Sequence, residues 1–201
     1  MFDAAIRRRI DPHLDRLGAR LARRGITANT VTAIGLGLGL ASAVSIAIGE
    51  YGIALALLLL SRVADGLDGA VARANGPTDF GGYFDITADF LFYGSVPLGF
   101  AFADPASNAI PAAILLLSFY FNGASFLGFA IQAEKRGLST AAQGRKNLYY
   151  SPGLLEGAET IGFFVAICVW PGAFEPLACG FATLCFYTGA ARVIWARGML
   201  R

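Results

Sequence analysis

The stretch Asp65-Gly66-Leu67-Asp68-Gly69-Ala70-Val71-Ala72-Arg73, followed after a short polar break by Gly81-Gly82-Tyr83-Phe84-Asp85-Ile86-Thr87-Ala88-Asp89, decides how the rest of the chain is read. It places four carboxylates and an arginine inside segments that are otherwise apolar. Such groups are expensive in membrane-length helices and usually functional there. Asp65 and Asp68 are three residues apart, and Asp85 and Asp89 four apart, so each pair projects from one face of a helix. With the two helices antiparallel about the turn Asn75-Gly76-Pro77-Thr78-Asp79, all four carboxylates converge on one point. Four like charges in a dry site repel one another, and a divalent cation removes that repulsion. Ligands that are all oxygen suit Mg²⁺, Mn²⁺ or Ca²⁺ better than zinc. Gly69 and Gly81 let a ligand approach the backbone. Arg73, about one turn past Asp68, presents a fork of donors to phosphate oxygens. Carboxylates, arginine and glycine together point to a phosphate ester.

Two other readings of the same residues are weaker. Helix-end carboxylates that pair with basic loops would reproduce the charges but not their regular spacing. A calcium loop of the EF-hand type needs alternating oxygen ligands in a polar loop and a Glu at its twelfth position. Leu67, Ala70 and Val71 fit a helix instead.

Composition sets the surroundings of this stretch. The 201 residues are 56% apolar and only 15% charged, which does not describe a soluble domain. Apolar runs of about 20 residues indicate transmembrane helices. The net charge of +2 decides little, but its distribution is informative. All sixteen Lys and Arg fall at positions 7–24, 62–73, 135–146 or 192–201, and none near Glu50, Asp104 or Glu175. The basic segments are therefore expected on the cytoplasmic side, with both termini and the carboxylate site. Cys168, Cys179 and Cys185 lack paired metal spacing and read as small residues in apolar helices. No signal peptide is expected, because an apolar core followed by a small-residue cleavage site is missing at the N-terminus.

In chain order, residues 2–24 carry Ile6, Ile10, Leu14, Leu17 and Leu21 at helical steps, with seven arginines between them. This is expected to be an amphipathic juxtamembrane helix on an anionic surface. A nucleic-acid-binding arm is disfavoured, since the apolar stripe runs on into a membrane span. Gly25-Ile26-Thr27 breaks the helix, and Thr27 or Asn29 can cap the next one. Six spans follow, at about 28–49, 53–74, 79–103, 109–132, 153–170 and 177–196. Gly35, Gly37 and Gly39 in the first suit close helix packing. Asp65 lies about 12 Å along the helix axis from Arg73, which sets the site a little inside the cytoplasmic boundary. Asn122 and Ser125 in the fourth span can bond across helices or touch a ligand. Residues 133–151 form the longest polar loop, with Arg145 and Lys146 near its end. Glu156 and Glu159, three apart at the start of the fifth span, either meet an acceptor or pair with Arg192 or the loop lysines. The fold class is thus all-α, a six-transmembrane-helix bundle preceded by the amphipathic helix, in a single domain spanning 1–201.

The motif resembles the signature of the CDP-alcohol phosphatidyltransferase family, Asp-x-x-Asp-Gly-x-x-Ala-Arg, seven or eight residues, then Gly-x-x-x-Asp-x-x-x-Asp. Here every position is filled, by Asp65, Asp68, Gly69, Ala72, Arg73, Gly81, Asp85 and Asp89, with seven residues between Arg73 and Gly81. Thr27-Ala28-Asn29-Thr30-Val31-Thr32 also resembles a Pro-Asn-x-x-Thr segment that many members place near the CDP moiety, with Ala28 in place of the proline. The resemblance implies six transmembrane helices, a cavity on the cytoplasmic side and a homodimer. It implies transfer of a substituted phosphate from a CDP-alcohol to an acceptor hydroxyl, with release of CMP. Two divalent ions, Mg²⁺ or Mn²⁺, would sit on Asp65, Asp68 and Asp85, with Asp89 completing the set and serving as the base. Gly69, Arg73 and Thr78 would lie against the CDP group, with Asn29 and Thr32 nearby.

The donor is expected to be CDP-diacylglycerol and the acceptor a small polar alcohol, at the inner (cytoplasmic) membrane. Arg145, Lys146 and Arg192, with Lys135 and Arg136, suit a phosphorylated acceptor, whereas Glu156 and Glu159 suit an amine-bearing or polyhydroxyl one. The reverse arrangement, a CDP-linked headgroup given to diacylglycerol, stays open, as does a CDP-lipid binder without turnover. A divalent-cation channel would need polar residues along the depth of several spans, and 53–60 and 91–102 nearly lack them.

Overall fold

Among the described residues, three capping side chains punctuate the apolar runs and decide where helices begin. Thr27 accepts from the Thr30 N–H at 3.2 Å, Thr78 from the Gly81 N–H at 3.0 Å, and Asp104 from the Ser107 N–H at 3.2 Å. Each satisfies a donor that the first helical turn leaves unpaired. The structure, a computed structural model, describes residues 3–137 and 157–200, with side chains from residue 11 onward. Regular structure among the described residues is helical: α1 (Asp3–Arg23), α2 (Ala28–Ala47), α3 (Tyr51–Asn75), α4 (Asp79–Ala103), α5 (Pro105–Lys135), α6 (Gly157–Val169), a 3₁₀ turn at Pro171–Ala173, and α7 (Phe174–Met199). The α5 helix starts at Pro105 rather than near 109, because Asp104 caps it and proline is tolerated in a first turn. Gly76, with φ of 92°, closes α3 in a conformation that a side chain disfavours.

Among the described residues, four stretches are long and apolar enough to cross a membrane: Ala28–Ala47, Asp79–Ala103, Pro105–Lys135 and Pro171–Met199. Helix α3 misses that standard because every 18-residue window in it holds at least three of Arg62, Asp65, Asp68 and Arg73. Those charges are the candidate site itself. The α6 helix is short in its described part, 13 residues.

Helix α2 packs on both α3 and α4, while α1 lies on α3, α4 meets α5, and α5 meets α7. The main core joins Ile46, Leu58, Phe92, Phe100, Leu115, Phe164 and Phe174, drawn from α2 through α7. Phe100 and Phe174 stack with ring centres 4.3 Å apart. In lipid such contacts stabilise through close packing rather than through exclusion of water. Small residues supply the closeness: a Cβ built on Gly39 would lie 2.5 Å from Phe92 Cδ2, and one on Gly99 would lie 2.6 Å from the Ala43 carbonyl oxygen. Gly37, by contrast, faces open space. Ile48, Ile110, Tyr120 and Ile194 point outward, each more than 70% exposed, a surface that suits lipid better than water.

The apolar stripe of α1 is divided. Leu14 and Leu21 pack against Val31, Leu67 and Val71, and a Cβ on Gly18 would lie 2.7 Å from that of Ala70. Leu17 stays exposed. The helix expected to rest on the bilayer surface therefore docks part of its stripe on α3.

Candidate active site

The packing of α3 and α4 against α2 brings the two halves of the aspartate motif together. Asp65 and Asp68 from α3 and Asp85 from α4 each offer a carboxylate oxygen, and these oxygens lie within 4.8 Å of one another. Asp68 is buried, and Asp65 and Asp85 are half-buried. Thr32 of α2 donates to Asp68 Oδ2 at 2.7 Å, with the Ala28 carbonyl oxygen 3.0 Å from the same hydroxyl. An octahedral magnesium site, with ligands at about 2.1 Å, spans oxygens up to about 4.2 Å apart, so small side-chain rotations close this set on one ion. A hard cation with carboxylate ligands is the chemistry these donors suit.

Asp89, expected to complete the metal set, has a different partner. Arg62 of α3 donates from Nη1 to Asp89 Oδ1 at 3.0 Å, and the same nitrogen is 3.7 Å from Asp65 Oδ1. Its Nη2 donates to Ser61 Oγ at 3.1 Å, and its guanidinium carbon lies 3.9 Å from the centre of the Phe92 ring. Arg62, Asp65, Asp68, Asp85 and Asp89 line one cavity together with Thr32, Gly35 and Ala88. Arg62 is the residue that sequence reasoning missed. Its signal was present, since it stands three residues before Asp65 and so shares that face of the helix.

The expected donor-side residues occupy the neighbouring end of the helices. Thr78 is engaged as the cap of α4. A Cβ on Gly81 would lie 2.9 Å from Thr78 Oγ1 and 3.2 Å from Asn29 Oδ1, so Asn29 and Thr78 crowd one backbone position. A Cβ on Gly69 would lie 3.4 Å from Arg73 Nη1. Arg73 itself donates to Asp15 Oδ1 of α1, from Nη2 at 2.6 Å and Nε at 3.1 Å.

Arg192 of α7 is buried and donates from Nη1 to the Asn122 carbonyl at 3.0 Å, to Asn122 Oδ1 at 2.8 Å and to Ser125 Oγ at 2.8 Å. Asn122 and Ser125 thus bond across helices. Glu159 stands in the first turn of α6. Glu156, Arg145 and Lys146 lie outside the described residues.

Comparison with known proteins adds to this geometry. The profile of the CDP-alcohol phosphatidyltransferase family matches residues 25–195. The chain is 42% identical over 193 residues to the inner membrane protein YnjF of Escherichia coli, covering 96% of this chain and 94% of that one. It is 36% identical over 97 residues to an archaetidylinositol phosphate synthase of Pyrococcus horikoshii, about half of each chain (48% and 52%). Among solved structures, the Mycobacterium tuberculosis phosphatidylinositol phosphate synthase PgsA1 has a similar fold. Its form with CDP-DAG bound aligns with a TM-score of 0.63 at 23% identity, covering 92% of this chain and 90% of that one. Its form in complex with manganese and citrate aligns with a TM-score of 0.62 at 22% identity, covering 92% and 86%.

Proposed function

This chain belongs to the CDP-alcohol phosphatidyltransferase family, and we propose that it transfers a substituted phosphate from CDP-diacylglycerol to the hydroxyl of a small polar alcohol, releasing CMP. The observation that carries the reading is the convergence of Asp65, Asp68 and Asp85 from two helices to within 4.8 Å. Manganese and CDP-DAG in the PgsA1 structures support the same choice of metal and donor.

Asp65, Asp68 and Asp85 would hold two divalent cations, Mg²⁺ or Mn²⁺, which when bound would supply charge stabilisation to the donor's pyrophosphate. The other tasks fall to side chains. Gly69, Arg73, Thr78, Asn29 and Thr32 orient the CDP group, with Arg73 exchanging Asp15 for phosphate oxygens when the donor enters. Asp89 takes the acceptor's proton, and transfer of this kind then depends mostly on positioning and charge. Glu159 and Arg192, with Glu156, Arg145 and Lys146, contact the acceptor. The domain is the whole chain, 1–201. Helices α2 to α7 form six spans, with α3 crossing despite its charges because these face the bundle interior. The distribution of Lys and Arg favours both termini and the site on the cytoplasmic side of an inner membrane, and the assembly is a homodimer.

A CDP-linked headgroup given to diacylglycerol is the second reading. The test is CMP release by purified protein from CDP-diacylglycerol with Mg²⁺ or Mn²⁺, across glycerol 3-phosphate, inositol phosphate, serine, choline and ethanolamine. Release that depends on one acceptor supports the reading and identifies the acceptor. Release only from a CDP-linked headgroup with diacylglycerol reverses donor and acceptor, and no release from either overturns it.

A further inference from the structure

Arg62 lines the carboxylate cavity, and the reaction proposed above gives it no task. Its guanidinium carbon lies 3.9 Å from the centre of the Phe92 ring, a ring that is fully buried and wedged against Gly39. Nη2 donates to Ser61 Oγ at 3.1 Å, and that hydroxyl donates to the Gly35 carbonyl at 2.8 Å. These contacts involve no carboxylate, so the seat of the charge does not depend on what the aspartates hold. The side chain is only 14% exposed, whereas a long basic side chain in a membrane ordinarily reaches toward water. A charge kept inside in this way points to a function.

The order of residues along the two helices indicates which one. Helices α3 and α4 run away from each other's ends at the turn 76–78. Arg73, Gly69, Thr78 and Asn29, expected to hold the CDP group, gather toward that turn. Asp65 and Asp85 come next, and Arg62 and Asp89 stand about one helical turn farther along. The donor then fills the end nearest the turn, and an acceptor whose proton goes to Asp89 fills the far end. A base acts within about 3 Å of the oxygen it deprotonates, and Arg62 Nη1 is 3.0 Å from Asp89 Oδ1. Substituents beside the reacting hydroxyl therefore come within about 9 Å of the guanidinium, in surroundings that screen charge poorly. Repulsion between unit charges at such a distance is worth about tenfold or more in binding. Carboxylates taken up by divalent ions do not offset it.

We propose that Arg62 is a specificity-determining residue for the acceptor: its fixed positive charge at the far end of the cavity admits neutral or anionic polyols and turns away alcohols that carry an ammonium group. The inference rests on the reading of Asp89 as the base and narrows the acceptor that this reading leaves open. Tyr93, one turn past Asp89 and with its ring centre 6.0 Å from the guanidinium carbon, extends the same wall. A Cβ on Gly157 would lie 3.7 Å from the Tyr93 hydroxyl, which brings the start of α6 to this end as well. Glu159, two residues on, favours the opposite class of acceptor, so acceptor choice reports which of the two charges governs.

The experiment measures that choice. Purified protein in lipid nanodiscs receives CDP-diacylglycerol and Mn²⁺, and CMP release is followed with glycerol, glycerol 3-phosphate and inositol phosphate against serinol, ethanolamine and choline. Glycerol and serinol differ only in a hydroxyl exchanged for an ammonium group. Wild-type kcat/KM is expected to favour the best polyol over every amino alcohol, and glycerol over serinol, by about tenfold or more. Arg62→Gln is expected to narrow the glycerol-to-serinol ratio by about tenfold, whereas Arg62→Lys, which keeps the charge, holds it within about threefold of wild type. Lost packing alone would slow both acceptors together and leave the ratio where it was. A wild-type enzyme that prefers an amino alcohol overturns the proposal and assigns the specificity to Glu159. A folded Arg62→Gln chain with the wild-type ratio overturns it too. If Arg62→Gln does not fold, the wild-type glycerol-to-serinol ratio decides alone. Asp89→Asn separates the ways of failing: full release in that variant removes the base on which the inference rests, whereas release lost there beside an unchanged ratio in Arg62→Gln removes only the role of Arg62. Absence of release with every acceptor overturns both.

Discussion

Thr32 Oγ1 on α2 lies 2.7 Å from Asp68 Oδ2 on α3, so the first apolar helix orients a carboxylate of the cluster on the second. A carboxylate that ligates metal is typically held by an outer hydrogen bond of this kind, and losing one costs about 10–100-fold in metal affinity or activity. Thr32→Val, which keeps the shape and removes the donor, is expected to weaken Mn²⁺ binding by about that factor, and Thr32→Ser to restore most of it. Calorimetric titration of Mn²⁺ into metal-stripped protein reads both. Equal affinity in Thr32→Val and wild type would reduce the bond to a packing contact.

The pairing of Arg73 with Asp15 yields a second prediction. Both side chains are well exposed, 42% and 52%, and exposed ion pairs contribute about 1 kcal/mol or less to stability. If Arg73 leaves Asp15 for phosphate oxygens on donor binding, Asp15→Asn should leave the donor KM within about twofold of wild type, while Arg73→Ala, which removes a charge-assisted bidentate contact, should raise it by about tenfold or more. Steady-state CMP release against donor concentration compares the two variants. Equal increases in both would make Arg73 a tether for α1 and nothing more.

How much of this was legible beforehand varied with the kind of contact. Asp65, Asp68 and Asp85 were, because residue spacing along a helix fixes a shared face and the short turn at 75–79 fixes the antiparallel partner. Arg62 opposite Asp89 was not, since the two are 27 residues apart, and their meeting depends on how far α4 is rotated toward α3. As one of sixteen basic residues, Arg62 entered only the count that set sidedness. The same limit separates Gly39 from Gly37. Both stand in one run of small residues, and only helix rotation decides which meets Phe92. Leu14 and Leu21 show it again, because an amphipathic stripe looks alike whether it faces lipid or a neighbouring helix.

Those two glycines form a matched pair. A Cβ at position 39 would lie 2.5 Å from Phe92 Cδ2, so Gly39→Ala must displace the ring that Arg62 rests on. Overpacking of that kind typically costs about 1–3 kcal/mol. Gly37→Ala meets nothing within 4 Å and should stabilise the helix by about 0.5–1 kcal/mol. Thermal unfolding in detergent is expected to place the variants on opposite sides of wild type. A Gly39→Ala melting temperature at or above wild type would mean that the Phe92 ring yields freely.

Asp89 and Asp65 should fail in different ways, and the difference tests the division of labour among the four carboxylates. Asp65 belongs to the cluster whose oxygens gather within 4.8 Å. Asp65→Asn is therefore expected to weaken Mn²⁺ and CDP-diacylglycerol binding together. Asp89 sits outside that cluster, against Arg62. Asp89→Asn removes a base and keeps the shape, so Mn²⁺ and donor binding should hold near wild type. CMP release should fall by about 10²–10⁴-fold, the usual contribution of a positioned base. Binding of CDP-diacylglycerol measured beside turnover distinguishes the two variants. If Asp89→Asn turns over at the wild-type rate, Asp89 is not the base. If it loses Mn²⁺ as severely as Asp65→Asn does, Asp89 is a ligand and Arg62 must leave it when metal binds.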